Sequence, residues 1–328
     1  MKKFLTIFFL FVSCILSAQK KEPVSIIFDT DIAPDYDDVG AMALLHAFAD
    51  MGEAKILATI SCNAFETTAP TLSVLNTYFN RPALPIGITK NALPNKDCSQ
   101  QWAQAIVAKY PHKLHSNDEA VDAVKLYRKI LSLQGDKSVT VVSVGFFTNL
   151  AGLLNSGADE YSSLSGKELV TKKVKHLVSM AARIGKDGMS GYEFNVMVDA
   201  AASQKVFTDW PTPVIISGFE IGEKILTGIR LIHNGSIQNS PVKDAFQIAL
   251  AKDSNTVGRN SWDETAVLVA VRGLAPFFSF RKLNFEIKED GKNVLIPGEK
   301  FTYLTFKQTP EEIGKQIEDL MMHQPGKK

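Results

Sequence analysis

The stretch IIFDTDIAPDYDD, residues 26–38, places five carboxylates directly after an apolar run that resembles a β-strand. A helical pattern begins near Val39, so the acids lie between a strand and a helix. In an open parallel sheet this position is the carboxyl edge, where ligands bind. The stretch therefore predicts both an α/β fold and the place of its functional site.

Strand-like and helix-like segments alternate along most of the chain. This alternation is typical of a parallel sheet that is covered by helices. The strand-like runs are 24–28, 56–60, 139–144, 175–179 and 214–217, and the helical patterns are 39–49, 68–79, 120–133, 148–154 and 200–208. We predict one α/β domain over residues 23–328, with a mostly parallel central sheet flanked by helices.

The last part of the chain follows a different pattern. After a helix predicted over 264–272, alternating segments at 280–288 and 293–296 flank Asp290-Gly291, which is a strong hairpin signal. A final helix is predicted near 310–322. We expect a small C-terminal β appendage closed by that helix, and the only plausible internal linker is 155–167.

Five acids within ten residues repel one another unless a cation or hydrogen-bond donors offset their charge. Carboxylates on a loop suit Ca²⁺ or Mg²⁺, so a divalent metal is the simplest explanation. A calcium-binding EF-hand loop does not fit, because Ala33 falls on the fifth position and Gly40 where a bidentate Glu belongs. The alternative is structural: Asp37 and Asp38 favour a helix N-terminus, and Asp35 lies at a proline turn.

Further polar segments follow the acid-rich stretch in a fixed order. They are Asn63 after the second strand, the segment 144–149 after a central strand, Glu193-Phe194-Asn195, and Asp263 at a predicted helix start. Together with the acids of 29–38, this ordered set resembles the inosine-uridine-preferring nucleoside hydrolase family. The resemblance covers nearly all of the chain beyond its N-terminal segment, and it implies an enzyme that cleaves the N-glycosidic bond of ribonucleosides.

The resemblance also implies roles for individual residues. Ca²⁺ is expected on three carboxylates and one backbone carbonyl: Asp31, Asp38, Asp263 and the carbonyl near Val144. Asp31 is also the expected base, taking a proton from the water that attacks the anomeric carbon. Ribose hydroxyls are expected to meet Asp37, Asn63, Glu193 and Asn195. An acidic pocket suits this reaction because positive charge builds on the sugar as the bond breaks.

Trp262 stands directly before the last metal acid, where pyrimidine-tolerant members of the family carry a His. An indole is not a useful acid, but it can stack on a purine, so the resemblance favours purine ribonucleosides. Trp102 or Phe65 is the candidate for the other face of the base. The alternative is that Trp262 packs under its helix, since large aromatic side chains are usually buried.

The acid-rich loop is two residues longer than is usual in the family, because residues 32–36 stand where three residues are more common. Asp35 lies in this insertion. Its role is left open between shaping the loop and touching ribose.

The N-terminus carries Lys2 and Lys3, an uncharged run over 4–17, and Ala18 at a small-residue cleavage site. This pattern predicts a signal peptide over residues 1–18 and an exported protein. The apolar run is too short to span a bilayer, so we expect no membrane association after cleavage. A net charge of +1 without a basic stripe disfavours polymeric nucleic acid as a partner. The family resemblance allows a homo-oligomer.

Two rival functions remain open. In a haloacid-dehalogenase-like phosphatase, an Asp-x-Asp after the first strand supplies nucleophile and acid beside Mg²⁺. This mechanism gives no function to Asp37 and Asp38. The second rival is an exported nucleoside- or sugar-binding protein that uses the same pocket without turnover.

Overall fold

The computed structural model describes residues 22–185 and 191–326. The predicted signal peptide, 1–18, lies outside the described residues. The centre of the fold is a nine-stranded sheet with the order β10-β11-β7-β6-β5-β1-β2-β3-β4, and β8 pairs with β9 in a separate ribbon. The strands are β1 Val24–Thr30, β2 Ala54–Ser61, β3 Ile86–Ile88, β4 Val121–Asp122, β5 Val139–Ser143, β6 Val174–Met180, β7 Val214–Ser217, β8 Leu226–Thr227, β9 Arg259–Asn260, β10 Phe278–Ile287 and β11 Asn293–Phe306.

The sheet is parallel except for the hairpin of β10 and β11. This hairpin corresponds to the predicted C-terminal appendage, and the structure refines that expectation. β11 pairs in parallel with β7, with Thr302 opposite Ile215 and Tyr303 opposite Ile216. The hairpin therefore extends the central sheet instead of forming a separate unit.

Helices cover both faces of the sheet. They are α1 Asp37–Asp50, α2 Thr68–Tyr78, α3 Trp102–Lys109, α4 Ala123–Ser132, α5 Thr148–Asn155, α6 Gly166–Lys173, α7 Phe194–Val198, α8 Ala200–Asp209, α9 Phe219–Gly222, α10 Ile229–His233, α11 Pro241–Lys252, α12 Trp262–Arg272 and α13 Pro310–Met321. Because side chains alternate along a strand, Ile26 and Phe28 pack under α1, α2 and α12, whereas Ile27 packs under α4, α5 and α8. The predicted arrangement of a mostly parallel sheet with flanking helices is confirmed.

The strand order places the functional edge of the sheet. β1 lies between β5 and β2, so the chain leaves β1 toward one side and later returns on the other. A crevice forms at such a switch point, outside the carboxyl ends of the two strands. The acids that follow β1 therefore face the end of β5.

None of the helices in residues 22–185 and 191–326 has both the length and the apolar character that a membrane span requires.

The segment 155–167, interpreted from the sequence as a linker, is held firmly against the domain. Arg128 on α4 is only 2% exposed in its side chain and forms an ion pair with Asp159 at 2.6 Å. The same guanidinium donates to the Ser156 hydroxyl and to the carbonyls of Ser162 and Leu164. A buried arginine thus replaces the apolar core that so short a loop cannot build.

We predict that Arg128→Ala lowers the free energy of unfolding by about 3 kcal/mol, because partly buried carbonyls and a carboxylate lose a buried donor. Urea denaturation measures the change. Lys288→Ala is the control: its side chain is 52% exposed and its partner Glu286 is 44% exposed, so the loss should stay below about 1 kcal/mol. Equal losses in the two variants would contradict this account of the loop.

Candidate active site

A pocket lies at the carboxyl edge of the sheet, at the switch point beside β1 and β5. Seven of the nine residues predicted to form the site line it: Asp31, Asp37, Val144, Glu193, Asn195, Trp262 and Asp263. The remaining lining residues are Asp35, Met180, Phe194, Phe219 and Arg259. The pocket therefore collects side chains from segments that are more than two hundred residues apart in the sequence.

Acidic side chains form the floor of this pocket. Asp37, Asp38 and Asp263 are buried, and each offers a carboxylate oxygen within 4.8 Å of the others. The Oδ2 atoms of Asp31 and Asp38 are buried without a hydrogen-bond partner among the described residues. Thr30 donates its hydroxyl to the other oxygen of Asp38. Buried, unpartnered carboxylate oxygens that converge on one point match the donor set of a hard divalent cation.

Electrostatics support the same interpretation. Burial, followed by repulsion from neighbouring acids, raises the pKa of Asp31, Asp38 and Asp263 well above the ordinary carboxylate value. For Asp263 the neighbouring acids are chiefly Asp37 and Asp38. A cation in their midst would remove both the repulsion and the unsatisfied oxygens. The residues present therefore fit a divalent metal.

Asp29 lies apart from the other acids of its segment. Its carboxylate accepts hydrogen bonds from Tyr127 at 2.9 Å and Asn149 at 3.1 Å, on the face of the sheet covered by α4 and α5. Burial raises the pKa of Asp29 to about 7, although both hydrogen bonds act to lower it. Asp29 does not line the pocket, and it connects β1 to two helices instead.

The chain passes very close to Asp31 at the end of β5. A Cβ atom on Gly145 would lie 2.4 Å from the backbone nitrogen of Asp31, so only glycine fits there. This approach brings the Val144 backbone into the pocket, as expected for a carbonyl ligand. The Val144 oxygen already accepts from the Asn195 Nδ2 at 3.1 Å, and it keeps a second lone pair.

Glu193 and Asn195 are positioned by the start of α7. The Glu193 carboxylate accepts from the backbone nitrogens of Asn195 at 2.8 Å and Val196 at 3.1 Å, which caps this helix. Burial raises the pKa of Glu193 to about 7 against these hydrogen bonds. The Asn195 amide donates to Val144 and Met180, so its Oδ1 is the atom that remains for a ligand.

Asn63 does not reach the pocket. Its amide donates to the carbonyls of Asp31 and Lys96, and its oxygen accepts from the backbone nitrogens of Phe65 and Lys96. Both amide hydrogens and the amide oxygen of Asn63 are therefore engaged in hydrogen bonds to backbone groups. The structure thus gives Asn63 the role of fixing the loop after Asp31, in place of the predicted contact with ribose.

One wall of the pocket is aromatic. Phe219 packs against Trp262 with ring centroids 5.2 Å apart, and the Trp262 Nε1 donates to the Phe219 carbonyl at 3.0 Å. Phe194, 37% exposed, is held edge-on by buried Phe146. The prediction that Trp102 stacks on the base is wrong. Trp102 is fully buried in the core on the face of the sheet that α1, α2 and α12 cover. Phe65 also lies outside the lining.

Arg259 is the main functional residue that the sequence interpretation missed. It is the only basic residue among the described lining residues, and it pairs with Asp37 at 2.7 Å and with Asp35 at 2.6 Å. Asp35 thereby gains a role in shaping the acid-rich loop. The available signal was a lone arginine four residues before Asp263.

The fold and the site define an α/β protein with a buried acidic site, suited to a divalent metal, at the switch point of its sheet. The chain belongs to the inosine-uridine preferring nucleoside hydrolase family, whose model matches residues 26–312. The resemblance found in the sequence is confirmed, and the family is metal-dependent.

Comparison with individual proteins agrees with this assignment. The chain is 27% identical over 208 residues to the pyrimidine-specific ribonucleoside hydrolase RihA of Escherichia coli O1:K1, a match covering 59% of this chain and 60% of that protein. Two solved structures share the fold with TM-scores of 0.67 and 14% identity: an inosine-uridine preferring nucleoside hydrolase from Bacillus anthracis and a purine-preferring ribonucleoside hydrolase from Gardnerella vaginalis. Each comparison covers 91% of this chain and 99% of the other.

We predict that the metal-free protein becomes less stable as the pH rises from about 4 through about 7, and that Ca²⁺ abolishes the part of this loss that comes from the acids of the floor. Acids whose pKa is raised by folding hold more protons in the folded than in the unfolded state, so deprotonation favours unfolding. The pKa of Glu193, for example, rises from 4.5 to about 7. Melting temperatures across this pH range, with Ca²⁺ or a chelator, provide the measurement.

The control for this prediction is Asp263→Ala, which removes one carboxylate from the floor. Its melting temperature should respond more weakly to Ca²⁺, because a ligand that binds the folded state more weakly stabilises it less at the same concentration. A wild-type protein whose stability is the same with calcium and with chelator would contradict the metal site.

Proposed function

We propose that the chain is a Ca²⁺-dependent hydrolase that cleaves the N-glycosidic bond of ribonucleosides. Its acidic floor would bind the sugar, and its aromatic wall would bind the base. The observation that carries the proposal is the pair of buried, unpartnered Oδ2 atoms on Asp31 and Asp38 beside Asp263. The family assignment supports it. The chain spans about 60% of the length of the curated relative it matches, so the activity itself is our proposal.

The cation is proposed to lie among Asp31, Asp38, Asp263 and the Val144 carbonyl. When bound, a divalent cation offsets the acidic charge and makes water easier to deprotonate. Asp31 is the proposed acceptor for the proton of the attacking water, because its Oδ2 atom is buried in the pocket without a hydrogen-bond partner among the described residues. Asp31 is thus both a ligand and a base.

Sugar recognition falls to the side chains around this floor. Asp37 and the Oδ1 atom of Asn195 are acceptors for ribose hydroxyls, and Glu193 keeps Asn195 in place by capping α7. Negative charge around the sugar stabilises the positive charge that develops as the C–N bond lengthens. The hydroxyl contacts hold the sugar before and during the reaction, so ribose should contribute more to binding than the base.

The leaving base faces Trp262, Phe219 and Phe194. No histidine lines the described part of the pocket, so a His-type acid for the base is not among those residues. We propose purine ribonucleosides as substrates, because a purine offers the larger stacking surface to such a wall. Similar proteins differ in the base that their names give: one is pyrimidine-specific and another is purine-preferring. An assay with both kinds of nucleoside therefore tests the proposed purine preference.

The phosphatase alternative conflicts with the position of Asp29. That mechanism needs the first acid of Asp-x-Asp as a nucleophile in the pocket, whereas Asp29 is bound by Tyr127 and Asn149 on the other face of the sheet. A binding protein without turnover would use the same pocket geometry. Product formation distinguishes it from an enzyme.

The first experiment is hydrolysis of inosine, guanosine, adenosine, uridine and an aryl riboside, with and without a chelator, following free base and ribose. We expect release of base from the purine ribonucleosides, loss of activity on chelation, and recovery with Ca²⁺. Binding of nucleosides without release of base would favour the binding protein. Faster release from uridine than from inosine would sink the purine preference while leaving the hydrolase intact.

Asp31→Asn tests the mechanism within that assay. We expect kcat to fall by roughly 10²-fold or more, the usual contribution of a positioned base, with an unchanged circular dichroism spectrum. The matched control is Asp29→Asn, which alters the neighbouring acid on the opposite face. It should mainly lower stability, and a variant of Asp31 that turns over normally would overturn the mechanism.

We also propose that the chain is exported and cleaved near Ala18, on the strength of its N-terminal pattern. The domain of residues 23–328 would then act outside the cytoplasm, and self-association is carried over from the family resemblance. N-terminal sequencing of protein recovered outside the cytoplasm should begin near Gln19. An intact Met1 on that material would contradict cleavage.

A further inference from the structure

Arg259 is the one basic residue among the described residues that line the acidic pocket. Its Nε and Nη2 atoms both donate to the Oδ1 of Asp37, at 3.0 and 2.7 Å. Nη2 also lies 2.6 Å from Asp35. Two nitrogens on one oxygen fix the position of the Asp37 Oδ1 atom, because the guanidinium is planar and its donors cannot rotate independently.

Two aromatic rings hold the guanidinium. The Arg259 Cζ lies 4.9 Å from the ring centroid of Tyr36 and 5.1 Å from that of Trp262. Cations are attracted to such ring faces. Trp262 therefore has a task that does not depend on any base, since it helps to keep Arg259 in place.

The backbone of Arg259 is fixed as well. β9 pairs with β8, with Arg259 opposite Thr227, and Ser261 donates its N–H to Ile225 at 2.9 Å. Gly258 has φ of +113°, and a Cβ there would lie 2.7 Å from the Thr227 carbonyl. The β8–β9 ribbon thus fixes the backbone of Arg259 close to Asp37. Only 17% of the Arg259 side chain is exposed.

From these contacts we infer that Arg259 is a positioning residue for the sugar: it holds Asp37 by Oδ1 so that Oδ2 meets a ribose hydroxyl. The inference rests on the proposed function. Without Arg259, Asp37 would face Asp38 and Asp263 within 4.8 Å and turn away from them. Asp35 steadies the outer side of Arg259, and its 38% exposure makes it the weaker partner.

The inference separates Arg259 from the residues of bond cleavage. Asp37 holds the sugar both before and during the reaction, so loss of its orientation weakens binding of both states. Arg259→Gln should therefore raise KM for a riboside and the inhibition constant of free ribose by about 10- to 100-fold, the range for a hydrogen bond to a charged group. The kcat should change much less.

Arg272→Gln is the matched control, because Arg272 lies at the opposite end of α12 with the same kinds of contact. It donates to Glu53 at 2.9 and 3.0 Å, and its Cζ lies 4.7 Å from the Phe48 ring centroid. Both variants lose an arginine that bridges a carboxylate and a ring. Only the Arg259 variant should lose affinity for ribose, whereas both can lower the melting temperature.

The experiment measures riboside kinetics, ribose inhibition and ribose binding by calorimetry, all with Ca²⁺ present, for wild type, Arg259→Gln, Arg259→Lys and Arg272→Gln. Arg259→Lys should recover part of the affinity, because it restores charge without the planar fork. In an Asp37→Asn background, Arg259→Gln should add little, since the two residues act through one contact.

The outcomes distinguish the two proposals. Active wild type with unchanged KM and ribose affinity in Arg259→Gln would overturn the positioning role and leave the hydrolase standing. A variant that loses only melting temperature would overturn it as well. A wild type that neither hydrolyses ribosides nor binds ribose would remove the proposed function, and the sugar-positioning role with it.

Discussion

Carboxylates repel one another at the carboxyl edge of the sheet, and the elements around them are arranged to offset that repulsion. Asp31, Asp37, Asp38 and Asp263 are all buried, where an uncompensated charge is costly. The molecule offsets part of this cost itself, through the Thr30 hydroxyl on Asp38 and the guanidinium on Asp37. The remaining unpartnered oxygens stay available for a cation. Folding and metal binding therefore draw on the same set of groups.

The parallel sheet makes this concentration of acids possible. Strand ends supply backbone groups without side-chain bulk, as at Gly145 against Asp31, and helices begin where negative charge is favourable, as at Asp37 and Asp38 in the first turn of α1. The structural and the metal-binding interpretations of these two acids are thus compatible. Helix α1 tolerates them at its N-terminus, and the pocket uses them.

Much of this arrangement was predictable from the sequence because it depends on local patterns. The strands that precede Asp31 and Val144 are apolar runs, and both residues follow them directly, so topology alone brings them together. Short elements were missed: β3 has three residues and β4 has two, too few for a periodic pattern. The fully engaged amide of Asn63 could not be foreseen, since its partners Lys96 and Phe65 lie in irregular loops. Arg259 was missed because pairing across more than two hundred residues leaves no trace in spacing.

The parallel pairing of β11 with β7 ties the pocket to the very end of the fold. The Tyr303 hydroxyl on β11 donates to Glu220 and packs against Gly218, where a Cβ would lie only 1.9 Å away. These residues flank Phe219, which forms the aromatic wall. During synthesis, the acids near residue 31 emerge first, but their wall has no support until the last strand has been made and paired across a long sequence separation. The pocket is therefore completed late, and a chain cut short before β11 would display its acids without a place for a base.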